Sequence, residues 1–149
     1  MADEFLKRFS WIALLKRKDL GTLQFLLAVR NWELFYFINK SKNKSWPDIE
    51  EFLGEIAETT GLDREYLAKS PMKINRFYLE TFARIEGQMA HYHLRLVEFF
   101  LPETILADLK GNDALRWFTR NEIDEEKTRD GKPIAEVVSK YLDILGYTA

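Results

Sequence analysis

Arg64, Tyr66 and Lys69 lie within a stretch, EIAETTGLDREYLAKS (residues 55–70), whose pattern is that of two short helices joined by a tight turn. Two cations and an aromatic ring on one short helix are side chains suited to phosphates and base edges. Ala57, Gly61 and Leu67 stand at the offsets a helix-turn-helix needs. Ala57 is small where the helices approach, Gly61 permits positive φ at the turn, and Ile56, Leu62 and Leu67 would lock both helices onto a core. Lys73 and Arg76 follow where they could reach a nucleic-acid backbone, and Lys40, Lys42 and Lys44 could add phosphate contacts. Asp63 and Glu65 share the second helix and oppose phosphate.

Other chemistry is sparse. With no cysteine, disulfides, thiolate metal sites and a cysteine nucleophile are excluded. There is no phosphate loop, dinucleotide glycine pattern or His-Glu-x-x-His. His91 and His93, if helical, point about 200° apart and cannot chelate one metal. Glu80, Glu86 and Glu98 offer no Glu-x-x-His spacing, so neither a metal nor a cofactor is expected. Arg84 and His91, with six residues between them, would share a helix face. That pair resembles the Arg-x(4–6)-His motif of HEPN ribonucleases, which implies His91 as acid–base and Arg84 on phosphate.

The elements that would position these residues read as helices. Residues 3–17 carry Phe5, Phe9 and Ile12 at helical spacing. Asp19 then caps a helix of about 20–39 that is apolar almost all round. Ser45-Trp46-Pro47-Asp48 starts another, with Ile49, Phe52, Leu53 and Ile56 inward and Gly61 at its end. Asp63 caps residues 64–69 and Pro71 stops them. Tyr78, Phe82, Ile85, Met89, Tyr92, Leu96 and Phe99 repeat as a heptad seam, predicting a long central helix over about 73–101. Pro102 opens a short helix, another spans about 113–120, and the last follows Pro133.

The charge is uneven. Residues 1–76 hold 13 Lys/Arg against 11 Asp/Glu, and residues 77–149 hold 9 against 13. A local basic surface is permitted, not the basic footprint of a typical DNA-binding domain. Hydrophobic residues make up 46% of the 149, enough for a sizeable core. Leu20–Ile38, the most apolar stretch, is interrupted by Gln24, Arg30, Asn31 and Glu33, which argues against a bilayer span. The charged N-terminal stretch shows no signal peptide, so a cytoplasmic location is expected.

The C-terminal third, ALRWF and then GKPIAEVVSKYLDILGY, resembles the Ala-x-x-Trp…Gly-x-x-Pro…Leu-x-x-Ile pattern of the toxin-binding domain of Xre/MbcA/ParS-type antitoxins. It departs from that pattern in the long gap between Trp117 and Pro133. The expectation is an all-α, compact bundle of seven to eight helices in one domain. It has a helix-turn-helix-like unit at 47–70 and a C-terminal helical appendage at 112–149. The expected function is a non-enzymatic regulator or complex subunit that binds a protein partner or itself, and nucleic acid through Arg64, Tyr66, Lys69, Lys73 and Arg76. The alternatives are a protein-binding adapter and the HEPN-like ribonuclease. No small-molecule substrate is indicated.

Overall fold

The computed structural model describes residues 6–29, 34–83, 87–106, 109, 114–125 and 133–147. Its centre is a sheet, not a helix bundle. Seven strands are present among the described residues: β1 (Leu6–Asp19), β2 (Thr22–Val29), β3 (Phe35–Tyr36), β4 (Ile38–Asn43), β5 (Lys73–Ala83), β6 (Gln88–Phe100) and β7 (Leu115–Thr119). Helices α1 (Ile49–Thr60), α2 (Arg64–Lys69), α3 (Glu103–Leu106), α4 (Arg120–Asp124) and α5 (Glu136–Ile144) lie between and after them. The expected all-α class is therefore wrong, and the fold is mixed α/β.

The path across the sheet is β3-β2-β1-β6-β5. Along one edge β1 pairs antiparallel with β4, from Arg8↔Asn43 to Ala13↔Ile38, and then with β2, from Lys16↔Phe25 to Asp19↔Thr22. Along its other edge it runs parallel to β6, from Leu6↔Ala90 to Lys16↔Phe100. A strand paired at both edges and covered on both faces reads as an unbroken apolar run. Trp11-Ile12-Ala13-Leu14-Leu15 is that run, and every member is buried. Helical spacing and a doubly covered strand are hard to separate in so short a stretch.

The helix expected at 20–39 is instead strands β2 to β4. Leu20 and Gly21 both have positive φ, 50° and 83°, which makes the two-residue turn of a β1–β2 hairpin where Asp19 reads as a helix cap. The long helix expected at 73–101 is the β5–β6 hairpin, paired from Lys73↔Glu98 to Ala83↔Gln88. Its heptad seam is split: Tyr78 sits on one face of the sheet, and Tyr92 and Leu96 on the other. Strand preference of its β-branched and aromatic residues outweighs the apparent helical period. Residues 115–119, expected within a helix, form β7 against β2.

Helices α1 and α5 are amphipathic, and α1, α2 and α4 carry caps. α1 buries Phe52, Leu53 and Ile56 and ends at Gly61, whose φ of 82° lets its N–H reach the Ala57 carbonyl. The Asp63 carboxylate accepts from the Glu65 N–H at the start of α2. Thr119 and Glu122 form a capping box at α4. Two apolar clusters result, one on each face of the sheet. Trp11, Ala13 and Leu15 pack with α1, and Ile12 and Leu14 pack with α5. Among the described residues no helix is long and apolar enough to cross a membrane.

Candidate functional site

On the α5 face, the N-terminal half of β1 is incompletely covered, and a cavity of about 340 Å³ opens there. Strand alternation sends Arg8, Ser10 and Ile12 of β1 to this face. The register sets Ser41 and Asn39 of β4 on one side of them and Tyr92 and Leu94 of β6 on the other. Leu34, Tyr36 and Tyr141 complete the wall. Arg8 to Ile12 spans about 13 Å of strand. Ile12 and Leu94 make an apolar floor, and the polar groups cluster towards Arg8 and Ser41.

The polar groups are ordered by one another. The Ser10 and Ser41 hydroxyls meet at 2.6 Å across the β1–β4 pair. Asn39 Nδ2 donates to the Phe37 carbonyl at 2.9 Å, which orients its amide. Tyr141 is stacked on Phe37 and hydrogen-bonded to Tyr36. Burial raises the Tyr141 phenol above its ordinary value, the Tyr36 hydrogen bond opposes that, and Tyr92 adds to it. The wall therefore presents neutral hydroxyls and ring faces, with the Arg8 guanidinium as its cation.

The opposite face at the same level is filled. Arg95 lies over Trp11 and Trp46, 4.6 and 3.9 Å from the ring centroids. Phe9 stacks on His93 at 4.6 Å, and Tyr78 meets both His91 and His93 edge-on. Because residues 91 and 93 are on a strand, the two histidines share a face, contrary to the helical expectation.

A more open groove runs along the solvent side of α1, between Lys40, Glu51, Glu55, Glu58 and Arg64. Three carboxylates along it are paired with cations: Lys42–Glu51 at 2.9 Å, Lys40–Glu55 at 3.9 Å and Arg64–Glu50 at 2.5 Å. A divalent cation is ordinarily held by several carboxylates. Among the described residues no group of three or more acidic, histidine or cysteine side chains is disposed to hold one. The described residues do not fit such an ion.

The five residues expected to meet nucleic acid fall on two elements. On α2, Arg64 is engaged by Glu50, Tyr66 packs against the core, and Lys69 is exposed. On β5, Lys73 lies 3.9 Å from Glu98, and Arg76 stands opposite Arg95. Within 47–70 lie α1 and α2, which cover one face of the sheet. Arg84 of the HEPN-like pair lies outside the described residues. His91 is on a strand, its Nδ1 2.5 Å from the Tyr78 hydroxyl, so the helical frame of that reading is absent. Trp117 of the antitoxin-like pattern is in β7.

Sequence reasoning missed the cavity altogether. Its signal is the pairs Ser10/Ile12, Asn39/Ser41 and Tyr92/Leu94, each at strand period, and this means nothing until the strands are in register.

No family model matches the sequence, and no curated protein resembles it in sequence. Solved structures do resemble the fold. The C. elegans Ap4A hydrolase superposes with a TM-score of 0.54 at 13% identity, covering 95% of this chain and 91% of that one. A mutT/nudix family protein from Listeria innocua gives 0.58 at 18% identity, covering 91% and 88%. The NUDIX domain of Shewanella oneidensis NrtR complexed with ADP ribose gives 0.56 at 13% identity, covering 91% and 83%. The fold is that of Nudix hydrolases. This overturns the helical regulator, the helical adapter and the HEPN-like ribonuclease alike.

Proposed function

We propose that this chain binds a nucleoside-containing phosphate ester or anhydride, with the nucleoside seated in the cavity of the α5 face. One observation carries the reading: three tyrosines, Tyr36, Tyr92 and Tyr141, line a cavity whose apolar floor is Ile12 and Leu94 and whose polar end holds Arg8, Ser10 and Ser41. Ring faces suit a nucleobase, and stacking on an aromatic side chain contributes about 1–3 kcal/mol per base. Hydroxyls and an amide suit ribose and base edges. A guanidinium suits phosphate. At about 340 Å³ the cavity takes the nucleoside half of such a ligand and leaves its phosphates towards the polar end. Nudix-fold proteins named for Ap4A hydrolysis and for a complex with ADP ribose support the ligand class.

Hydrolysis is the second reading, favoured by Glu51, Glu55 and Glu58 along one groove of α1. Their pairing with Lys42 and Lys40 and the absence of a metal-holding group among the described residues count against it.

Calorimetric titration of the full chain with ADP-ribose separates the readings. Binding is expected, and Arg8→Ala and Tyr92→Ala should each weaken it by about tenfold or more, the equivalent of 1.4 kcal/mol. Absence of binding into the millimolar range, or affinity indifferent to both substitutions, would overturn the proposal. Mg²⁺-dependent product release from the same ligand would move the function to hydrolysis.

A further inference from the structure

β5 ends the sheet, and its outer edge runs the full length of Lys73–Ala83. Sheet edges in proteins are ordinarily blunted by brevity, lysines, proline or bulges, because unpaired backbone groups invite another strand. The other edge strands of this sheet are short or rich in lysine. β3 has two residues, β7 has five, and β4 carries Lys40 and Lys42 and is followed by Lys44. β5 is longer, and its one lysine, Lys73, stands at its first residue. It pairs residue for residue with β6 without a bulge, contains no proline, and exposes Ile74, Tyr78 and Leu79.

The charges on β5 are arranged about Tyr78. Arg76 and Glu80 lie two residues to either side, both exposed and on the same face as Tyr78. Within the chain Arg76 has Arg95 directly opposite it on β6. Like charges in that position are unfavourable. The Arg95 guanidinium is already held between Trp11 and Trp46.

We propose that this edge is a homodimer interface, in which β5 pairs antiparallel with β5 of a second copy about a two-fold axis at Tyr78. That register sets Tyr78 against Tyr78, Phe77 against Leu79, and Arg76 against Glu80, twice by symmetry. Centring the pair on Arg76 or on Glu80 instead would put like charges face to face. The Tyr78 register also gives Arg76 an acidic neighbour to offset Arg95. The two sheets then form one continuous sheet, and the nucleoside cavities on the α5 faces stay open.

Sedimentation velocity on the full chain tests this. The expected species at micromolar concentration has twice the 17.6 kDa chain mass. Each of R76E and E80R reverses two symmetric charge pairs and should weaken the dimer by about tenfold or more. The double variant R76E/E80R, and an equimolar mixture of the two single variants, should dimerise again. Circular dichroism confirms that each variant is folded, and E80R serves alone if R76E does not fold. A wild-type monomer throughout, a dimer that survives E80R, or no rescue in the double variant or the mixture of folded single variants would overturn the proposal.

Discussion

The two faces of the sheet are built from alternate residues of the same strands, yet they differ in kind. On the α1 face the N-terminal half of β1 sends out Phe9 and Trp11, and aromatic rings and the Arg95 guanidinium fill the space. On the α5 face it sends out Arg8 and Ser10, and a cavity opens. Further along β1, the α5 face is tied by polar groups. Glu98, 5% exposed, accepts from Lys16 at 3.0 Å, from Asn75 at 2.9 Å and from the Tyr147 hydroxyl. Buried Arg120 holds the Tyr147 carbonyl, Asp124 and Asp143. One face is stabilised mainly by packing. The other is latched by charges and keeps room for a ligand. A one-residue slip of β1 would exchange the two.

Removing Trp11 tests the packed face and should have the largest effect. The side chain is buried, stacks on Phe52 at 5.4 Å and donates to the Pro47 carbonyl at 2.6 Å. Trp11→Ala should cost about 3–5 kcal/mol of stability in urea unfolding. A loss under about 1 kcal/mol would break the contrast between the faces.

Glu98 tests the latched face. Burial alone would raise its carboxyl, but hydrogen bonds from Tyr147, Asn75 and Lys16, with the Lys16 charge, outweigh burial and hold it below the usual carboxylate value. A carboxyl held low in the folded state contributes stability above its unfolded value, here 4.5, and loses it as pH falls through the folded value. Lys16 behaves conversely. Burial lowers it, Tyr147 and Glu98 raise it further, and its contribution is full below 10.5 and lost as pH rises through the folded value. Glu98→Gln should cost about 1–3 kcal/mol at neutral pH. It should also flatten the acid limb of stability, measured as urea midpoints on either side of pH 4.5. A wild-type acid limb retained in the variant would mean that the latch lies elsewhere.

Filling the cavity should have the smallest effect on stability and a clear effect on binding. Ser41→Leu places a branched side chain at an exposed rim position of the cavity. Stability should change by less than about 1 kcal/mol, while ADP-ribose affinity falls by about tenfold or more through the clash. An unchanged affinity would place the ligand outside the cavity.

Legibility followed contact range. α1, α2 and α5 were readable because their signals are local: Asp63 and Gly61 as caps, and inward residues three and four apart. β1 was not, because Trp11–Leu15 is apolar on both faces and carries no period. β5 and β6 were not, because Tyr78, Tyr92 and Leu96 imitate a heptad while facing opposite sides of a sheet. The cavity draws one to three residues from each of several distant segments, so no stretch of sequence displays it.

By itself the sequence determined the punctuation of this protein. It set the glycine that ends α1, the cap of α2, the lack of thiol chemistry, and which residues are apolar enough to be buried. Only the tertiary structure decided that the long apolar runs are strands, which face each residue meets, and that Arg8, Ser41 and Tyr92 share one cavity. The physical reason is that caps and turns are satisfied by neighbours in the chain. Strand pairing is satisfied by backbone groups far along the chain, as Lys16↔Phe100 and Gln24↔Thr119 show, and only that pairing fixes where the side chains point.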